Sequence, residues 1–281
     1  MSVAVLIVAA GRHVHLVRVL DALRCQTRPP DDIVVVELGQ PGDLHRHVQP
    51  PARLVAHHPA YEGGPLALAG GRNTAAAATN AQRLVFLDVD CIPSSDLVER
   101  YDDVLLAAPG AIACGPVRYL RQHWHRQLAG QAPSSEELEA RSDHHPARPA
   151  RRGGIELNDD HDLFWSLSFG VTRSTWQRIG GFDDSYVGYG GEDTDFAMRA
   201  RHHGVPLAWF GGGVTYHQWH PPSRNDPARL DEMIANAHRF RQRWGRWPMS
   251  GWFAELNATG HVHFQPDSEL LVRTGVRGVR G

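Results

Sequence analysis

The chain has 281 residues, 42% hydrophobic and 21% charged, which suits one large α/β domain with a well-buried core and excludes disordered or fibrous material. Its 29 basic and 31 acidic residues leave a net charge of −2, which argues against a general nucleic-acid binder. Three cysteines, Cys25, Cys91 and Cys114, lack CxxC spacing and are odd in number; neither a disulfide framework nor a zinc knuckle fits, and reduced thiols do.

Val3 to Ala10 is a continuous apolar run, as in a strand buried on both faces of a parallel sheet. It is short for a signal peptide, and no basic segment precedes it. Leu16, Val19, Leu20 and Leu23 follow at helical spacing, and Pro29 and Pro30 close that unit. Ile33 to Leu38 is a second apolar run, so strand, helix and strand predict a βαβ crossover. Arg53 to Ala56 fits a short strand, Gly70 to Ala81 a closely packed helix, and Leu84 to Val89 a buried strand ending in acids. Ser94 or Ser95 is expected to cap a helix with Leu97, Tyr101, Val104 and Leu105 on its apolar face. Ala111 to Val117 reads as a further strand.

From Arg121 to Asp162 the chain is rich in His, Arg, Pro, Ser and Glu. A long loop or mobile insertion is expected there, with a short helix near Glu136 to Arg141. Glu192 to His203 reads as a helix stopped by Gly204 and Pro206. Pro206 to Phe210 and Val214 to Tyr216 read as strands. Asp226 and Pro227 open a last helix carrying Leu230, Ile234, Ala237, Phe240 and Trp244 inward. Arg273, Arg277 and Arg280 lie in a tail expected to be solvated. No run approaches the ~20 apolar residues of a membrane helix.

Three motifs carry chemistry. In Leu87-Asp88-Val89-Asp90, two carboxylates end a buried strand, the edge where ligands bind in open α/β sheets. Two buried acids repel and resist desolvation, and a divalent cation, Mn²⁺ or Mg²⁺, resolves both costs while bridging to a diphosphate. The second motif runs Gly180-Gly181-Phe182-Asp183-Asp184, then Tyr189-Gly190-Gly191-Glu192-Asp193-Thr194-Asp195. Its glycines deliver Glu192 and Asp193 to a helix start, where the dipole favours negative charge and a fixed carboxylate can serve as general base. The third is His217-Gln218-Trp219-His220, from which an imidazole, His217 foremost, can complete a coordination begun by Asp90.

Together these segments resemble glycosyltransferase family 2 enzymes of the A-type fold, and the second resembles the C-terminal subdomain of β-1,4-galactosyltransferases. The resemblance runs from Val3 to about His220 and is weak through the insertion. It implies a single Rossmann-like α/β domain with a mostly parallel central sheet, a long loop insertion and a C-terminal helix. Residues 1–118 would be the nucleotide-binding half, 119–162 a flexible insertion, 163–220 the acceptor and catalytic half, and 221–281 the C-terminal helix and tail. It also implies roles. Asp193 would be the base, and Glu192 would position sugar hydroxyls. Asp88 would contact ribose or sugar. Asp90 and His217 would bind the metal. Arg72 and Asn73 would lie near the nucleotide, and Ala9 at the nucleoside. Gly170, after Phe169, and Gly191 would line the donor pocket, and Tyr189 and Trp165 would meet the acceptor. The family's two adjacent acids after the second strand are represented here by Glu37 alone, expected at the base, which the resemblance makes uridine.

The implied activity is metal-dependent inverting transfer of a hexose or N-acetylhexosamine from a UDP-sugar to a hydroxyl on a small molecule, saccharide or lipid-linked acceptor. The implied setting is cytoplasmic, including the inner membrane face. A nucleotidyltransferase shares the sheet and acidic site, but Ala9-Ala10-Gly11-Arg12 is only a faint echo of its phosphate loop. A degenerate nucleotide- or glycan-binding module need not keep both acidic sites.

Overall fold

The computed structural model describes residues 1–39, 42–57, 64–127, 133–145, 153–221 and 227–275. The first half alternates strands and helices as its apolar periodicity predicts: β1 (Val3–Ala9), α1 (His13–Arg24), β2 (Asp32–Leu38), β3 (Ala52–His57), α2 (Leu68–Ala77), β4 (Arg83–Asp88), β5 (Cys91–Pro93) and α3 (Leu97–Ala107). Then come β6 (Ile112–Cys114), β7 (Val117–Leu120), α4 (Ser135–Ala140), β8 (Ser142–His144), β9 (Ile155–Asn158), β10 (Ser168–Thr172), α5 (Arg173–Ile179) and α6 (Glu192–His202). The chain continues through β11 (Leu207–Phe210), β12 (Thr215–His217), α7 (Pro227–Trp244), α8 (Ser250–Ala258), β13 (Val262–Phe264) and β14 (Leu271–Arg273).

Among the described residues the main sheet has eight strands in the order β3-β2-β1-β4-β10-β6-β11-β9. Strands β3, β2, β1 and β4 run parallel, and β10 enters antiparallel between β4 and β6. One apolar layer sits under α1 and α3, and another, rich in aromatics, under α2, α5 and α6. Helix α2 lies close on the sheet: a Cβ on Gly71 would stand 2.7 Å from Leu38 Cδ2 and 2.9 Å from Val8 Cγ1. A second sheet, β5-β12-β7-β8, is built beside the end of β4.

Several expectations change in detail. The run Ala111 to Val117 is two strands in two sheets, broken at Gly115-Pro116, where proline has no N–H for a ladder. The N-cap of α3 is Asp96, not Ser94 or Ser95; its carboxylate accepts from Ser94 Oγ at 2.6 Å and from Gly213 N at 3.2 Å. Within 119–162, α4 closes with a capping box between Ser134 and Glu137, and β9 forms an edge of the main sheet on β11. Residues 128–132 and 146–152 of that segment lie outside the described residues, as do the Asp226 cap, Arg277 and Arg280. The C-terminal part is more than a helix and tail. Helices α7 and α8 and the β13–β14 hairpin enclose a third apolar cluster around Met233, Ala237, Phe253 and Phe264. Leu230, Ala237 and Phe240 of α7 are buried as expected, while Ile234 and Trp244 are half-buried. No helix among the described residues is long and apolar enough to cross a membrane.

Candidate active site

A cavity of about 840 Å³ opens at the C-terminal edge of β1 and β4, between the sheet, the start of α6 and the residues that lead into α8. Register places Val8 beside Asp88, so the turn after β4 projects from the sheet at this edge. Asp88, Asp90, Arg72, Glu192, Asp193, His217, Tyr189 and Trp165 all line the cavity.

The metal-binding candidates come from two elements locked together. β12 pairs with β5 so that His217 lies opposite Cys91, and the Gln218 N–H donates to the Asp90 carbonyl at 2.7 Å. His217 Nε2 then lies 3.6 Å from Asp90 Oδ1, and His220 Nε2 lies 3.3 Å from Asp90 Oδ2. One ligand atom from each of Asp90, His217 and His220 falls within 4.8 Å of the others. A carboxylate and two imidazoles form a nitrogen–oxygen donor set that suits Mn²⁺ better than Mg²⁺. Arg12, in the left-handed conformation at φ 51°, also ion-pairs with Asp90. Burial pushes the Asp90 carboxyl up, but the hydrogen bond from His220 and the charges of His217 and Arg12 outweigh it and hold Asp90 well below the usual carboxylate range. Burial lowers His217 despite the opposing charge of Asp90, a shift toward the form of the imidazole that can ligate.

The acidic helix start is built by glycine and by α7. Gly190 and Gly191 hold φ of 89° and 91°, which non-glycine residues rarely adopt. Asn236 of α7 donates to the carbonyls of Val187 at 3.0 Å and Tyr189 at 3.5 Å, and Glu232 accepts from Tyr189 N at 2.9 Å. Glu192 and Asp193 emerge into the cavity, whereas Asp195 points into the core. There it meets Arg199, Arg243 and the Trp244 indole, each at 2.9 Å. Arg72 bridges the two acidic sites, 3.2 Å from Asp88 and 3.2 Å from Glu192, with its guanidinium over the Phe182 ring. Burial raises Asp88 to about 6, offset in part by Arg72. Burial and the neighbouring Asp193 raise Glu192 to about 7.

Five residues expected at the donor lie outside the cavity lining. Ala9 is buried within β1, and Val8 and Ala10 line the cavity instead. Glu37 is 7% exposed and accepts from Gly42 N at 2.9 Å, which fixes the backbone after β2. Asn73 donates to the Phe182 carbonyl and accepts from Phe182 N, both at 2.9 Å, and so holds the Gly181-Phe182 turn. Gly170 lets β10 pass α3: a Cβ there would stand 2.7 Å from Tyr101 Cδ1. Gly191 serves the turn and packs on Tyr186.

The cavity has further lining residues. His220 was visible as the second histidine of its motif, and Arg12 as the first cation after β1. Ser166, Arg229, Arg246 and the run from Trp247 to Trp252 carried no motif at all. Trp252 lies parallel to Tyr189, with centroids 6.5 Å apart and planes 4° from parallel.

Known proteins resemble the chain in sequence over part of its length and in fold over most of it. The family described as the N-terminal domain of galactosyltransferase matches residues 156–220, the stretch from β9 to His220. Validoxylamine A glucosyltransferase of Streptomyces hygroscopicus subsp. jinggangensis is 31% identical over 80 residues, 27% of this chain and 18% of that protein. Chondroitin synthase of Escherichia coli is 23% identical over 180 residues, 56% of this chain and 26% of that protein. The chain therefore spans about a fifth to a quarter of the length of these curated relatives. Among solved structures, GalNAc-T7 with UDP, GalNAc and Mn²⁺ superposes with a TM-score of 0.60 at 13% identity, over 87% of this chain and 48% of that one. S. aureus TarS 1–349 in complex with UDP gives 0.57 at 11% identity, over 84% of this chain and 65% of that one. The chain thus shares the fold of these glycosyltransferase structures, and its residues 156–220 resemble the N-terminal domain of galactosyltransferase.

Proposed function

We propose that the chain transfers a hexose or N-acetylhexosamine, with inversion, from a nucleoside diphosphate sugar to a hydroxyl group of a saccharide or similar acceptor. The observation that carries this reading is one cavity that gathers Asp90, His217 and His220 at one side and Glu192 and Asp193 at the other. The UDP in both structural neighbours, and the Mn²⁺ in one, support a UDP-sugar as donor and Mn²⁺ as cofactor.

Asp90, His217 and His220 would hold the divalent cation, which supplies neutralisation of the charge on the departing diphosphate. Arg12 adds fixed positive charge at the same place, and Asp88 faces the sugar and ribose. Asp193 takes the proton from the acceptor hydroxyl as that oxygen attacks the anomeric carbon. The bond to the diphosphate breaks on the opposite face, which inverts the carbon. Glu192, gripped by Arg72, positions hydroxyls, and Tyr189 and Trp165 offer ring faces to the acceptor.

The test is Mn²⁺-dependent release of nucleoside diphosphate from UDP-, GDP- and dTDP-linked sugars by the parent, Asp90→Ala and Asp193→Asn. Release with one donor class, abolished in Asp90→Ala, is expected. Asp193→Asn should bind donor normally and turn over at least a hundredfold more slowly, within the ~10²–10⁴-fold typical of general bases. Absence of both donor binding and release in the parent would sink the reading.

A further inference from the structure

Three polar atoms on residues of the cavity wall have no hydrogen-bond partner among the described residues: Arg246 Nε, whose guanidinium is already paired with Asp162, and two on buried side chains, Ser166 Oγ and Glu192 Oε2. Ser166 is 4% exposed and Glu192 is 6% exposed. Buried hydroxyls and carboxylate oxygens are normally paired, and leaving one unpaired carries the full cost of its desolvation. Two such atoms in one cavity call for a partner that the fold does not supply.

Both residues lie near Asp88, Ser166 through the backbone and Glu192 through Arg72. The carbonyl of Leu167, next to Ser166, accepts from Asp88 N–H at 2.9 Å. On the other route, Arg72 joins Asp88 to Glu192 through contacts of 3.2 Å each. Asp88 stands two residues before Asp90 at the same sheet edge. The ligand group that reaches this place is the one joined to the diphosphate, which is the sugar to be transferred. A sugar hydroxyl both donates and accepts. It can accept from a serine hydroxyl while its neighbour donates to a carboxylate oxygen, so adjacent hydroxyls satisfy both orphans at once.

We propose that Ser166 is a specificity-determining residue, and that its hydroxyl and the free oxygen of Glu192 read adjacent hydroxyls of the transferred sugar in a nucleoside diphosphate donor. This rests on the transferase reading above. A site built to hydrogen-bond a hydroxyl discriminates strongly against donors that lack or misplace it, because its buried groups are then left unpaired.

Isothermal titration calorimetry with Mn²⁺ present tests the proposal, using UDP, UDP-glucose, UDP-galactose, UDP-N-acetylglucosamine and UDP-N-acetylgalactosamine. Ser166→Ala is expected to raise Kd for the parent's preferred UDP-sugar about tenfold, one hydrogen bond's worth, while Kd for UDP stays within about twofold. The unliganded melting temperature should not fall, since the lost hydroxyl has no partner in the fold. An unchanged UDP-sugar Kd, an equal loss for UDP, or a melting temperature lower by several degrees overturns the proposal. If the parent binds none of these compounds, nor GDP- or dTDP-sugars, the transferase reading fails and this inference falls with it.

Discussion

Three side chains, His217, His220 and Arg12, converge on the two oxygens of Asp90. If the two imidazoles are ligands, His217→Ala and His220→Ala should each weaken Mn²⁺ binding at least tenfold, by calorimetry or manganese EPR. His220→Ala with parental affinity would leave Asp90 and His217 as the only protein ligands of the group. Glu192 makes a different prediction. Its carboxyl titrates near 7 in the fold, above its usual 4.5, because burial disfavours the charged form. Between those values the folded chain holds a proton that the unfolded chain has lost, so stability falls as pH rises through that window and stays lower above it. Glu192→Gln removes this cost. It should raise stability by about 1–3 kcal/mol at pH 8, on a scale of 1.36 kcal/mol per pKa unit, and by little at pH 4. Thermal melts at both pH values decide it, and a loss of stability at pH 8 would mean that the ion pair with Arg72 outweighs burial.

The elements show why these side chains arrive together. Helix α7 anchors the Gly-rich turn through Asn236, and the turn in turn starts α6. Asn236→Ala should cost about 1–3 kcal/mol, since the freed carbonyls of Val187 and Tyr189 then lack a donor. Because that turn aims Glu192 and Asp193, it should also lower kcat for sugar transfer severalfold in protein that is still folded. Parental kcat in the variant would show that the glycines alone set the turn. The βαβ order was legible because β1, β2 and β4 are buried on both faces and read as unbroken apolar runs. Asp88, Asp90, Glu192, Asp193 and His217 were legible because their spacing expresses chemistry on a single element. Gly170 and Asn73 were assigned to the donor, yet the structure uses them for packing and for a turn, and both needs depend on partners far away in sequence. Ser166 and Trp252 were invisible for the converse reason, since only the fold brings them to the cavity.

At the scale of the whole molecule, the cavity wall is divided between the sheet edge and the C-terminal part, whose own apolar cluster supports Trp247, Met249 and Trp252 at the wall. A ligand that fills the cavity therefore contacts both the sheet edge and the C-terminal part. Nucleotide and metal that bind only the folded state stabilise it by RT ln(1 + [L]/Kd), about 2.7 kcal/mol at a hundred times Kd. For a chain of this size that corresponds to a rise in melting temperature of roughly 5 °C. UDP with Mn²⁺ should give that rise, and either one alone should give less, because the diphosphate and the Asp90 group share the cation. Asp90→Ala should abolish the part that depends on Mn²⁺ while keeping any shift from UDP alone. Equal shifts with and without Mn²⁺ in the parent would separate nucleotide binding from the metal group, and would leave Arg12 as the cation that meets the diphosphate.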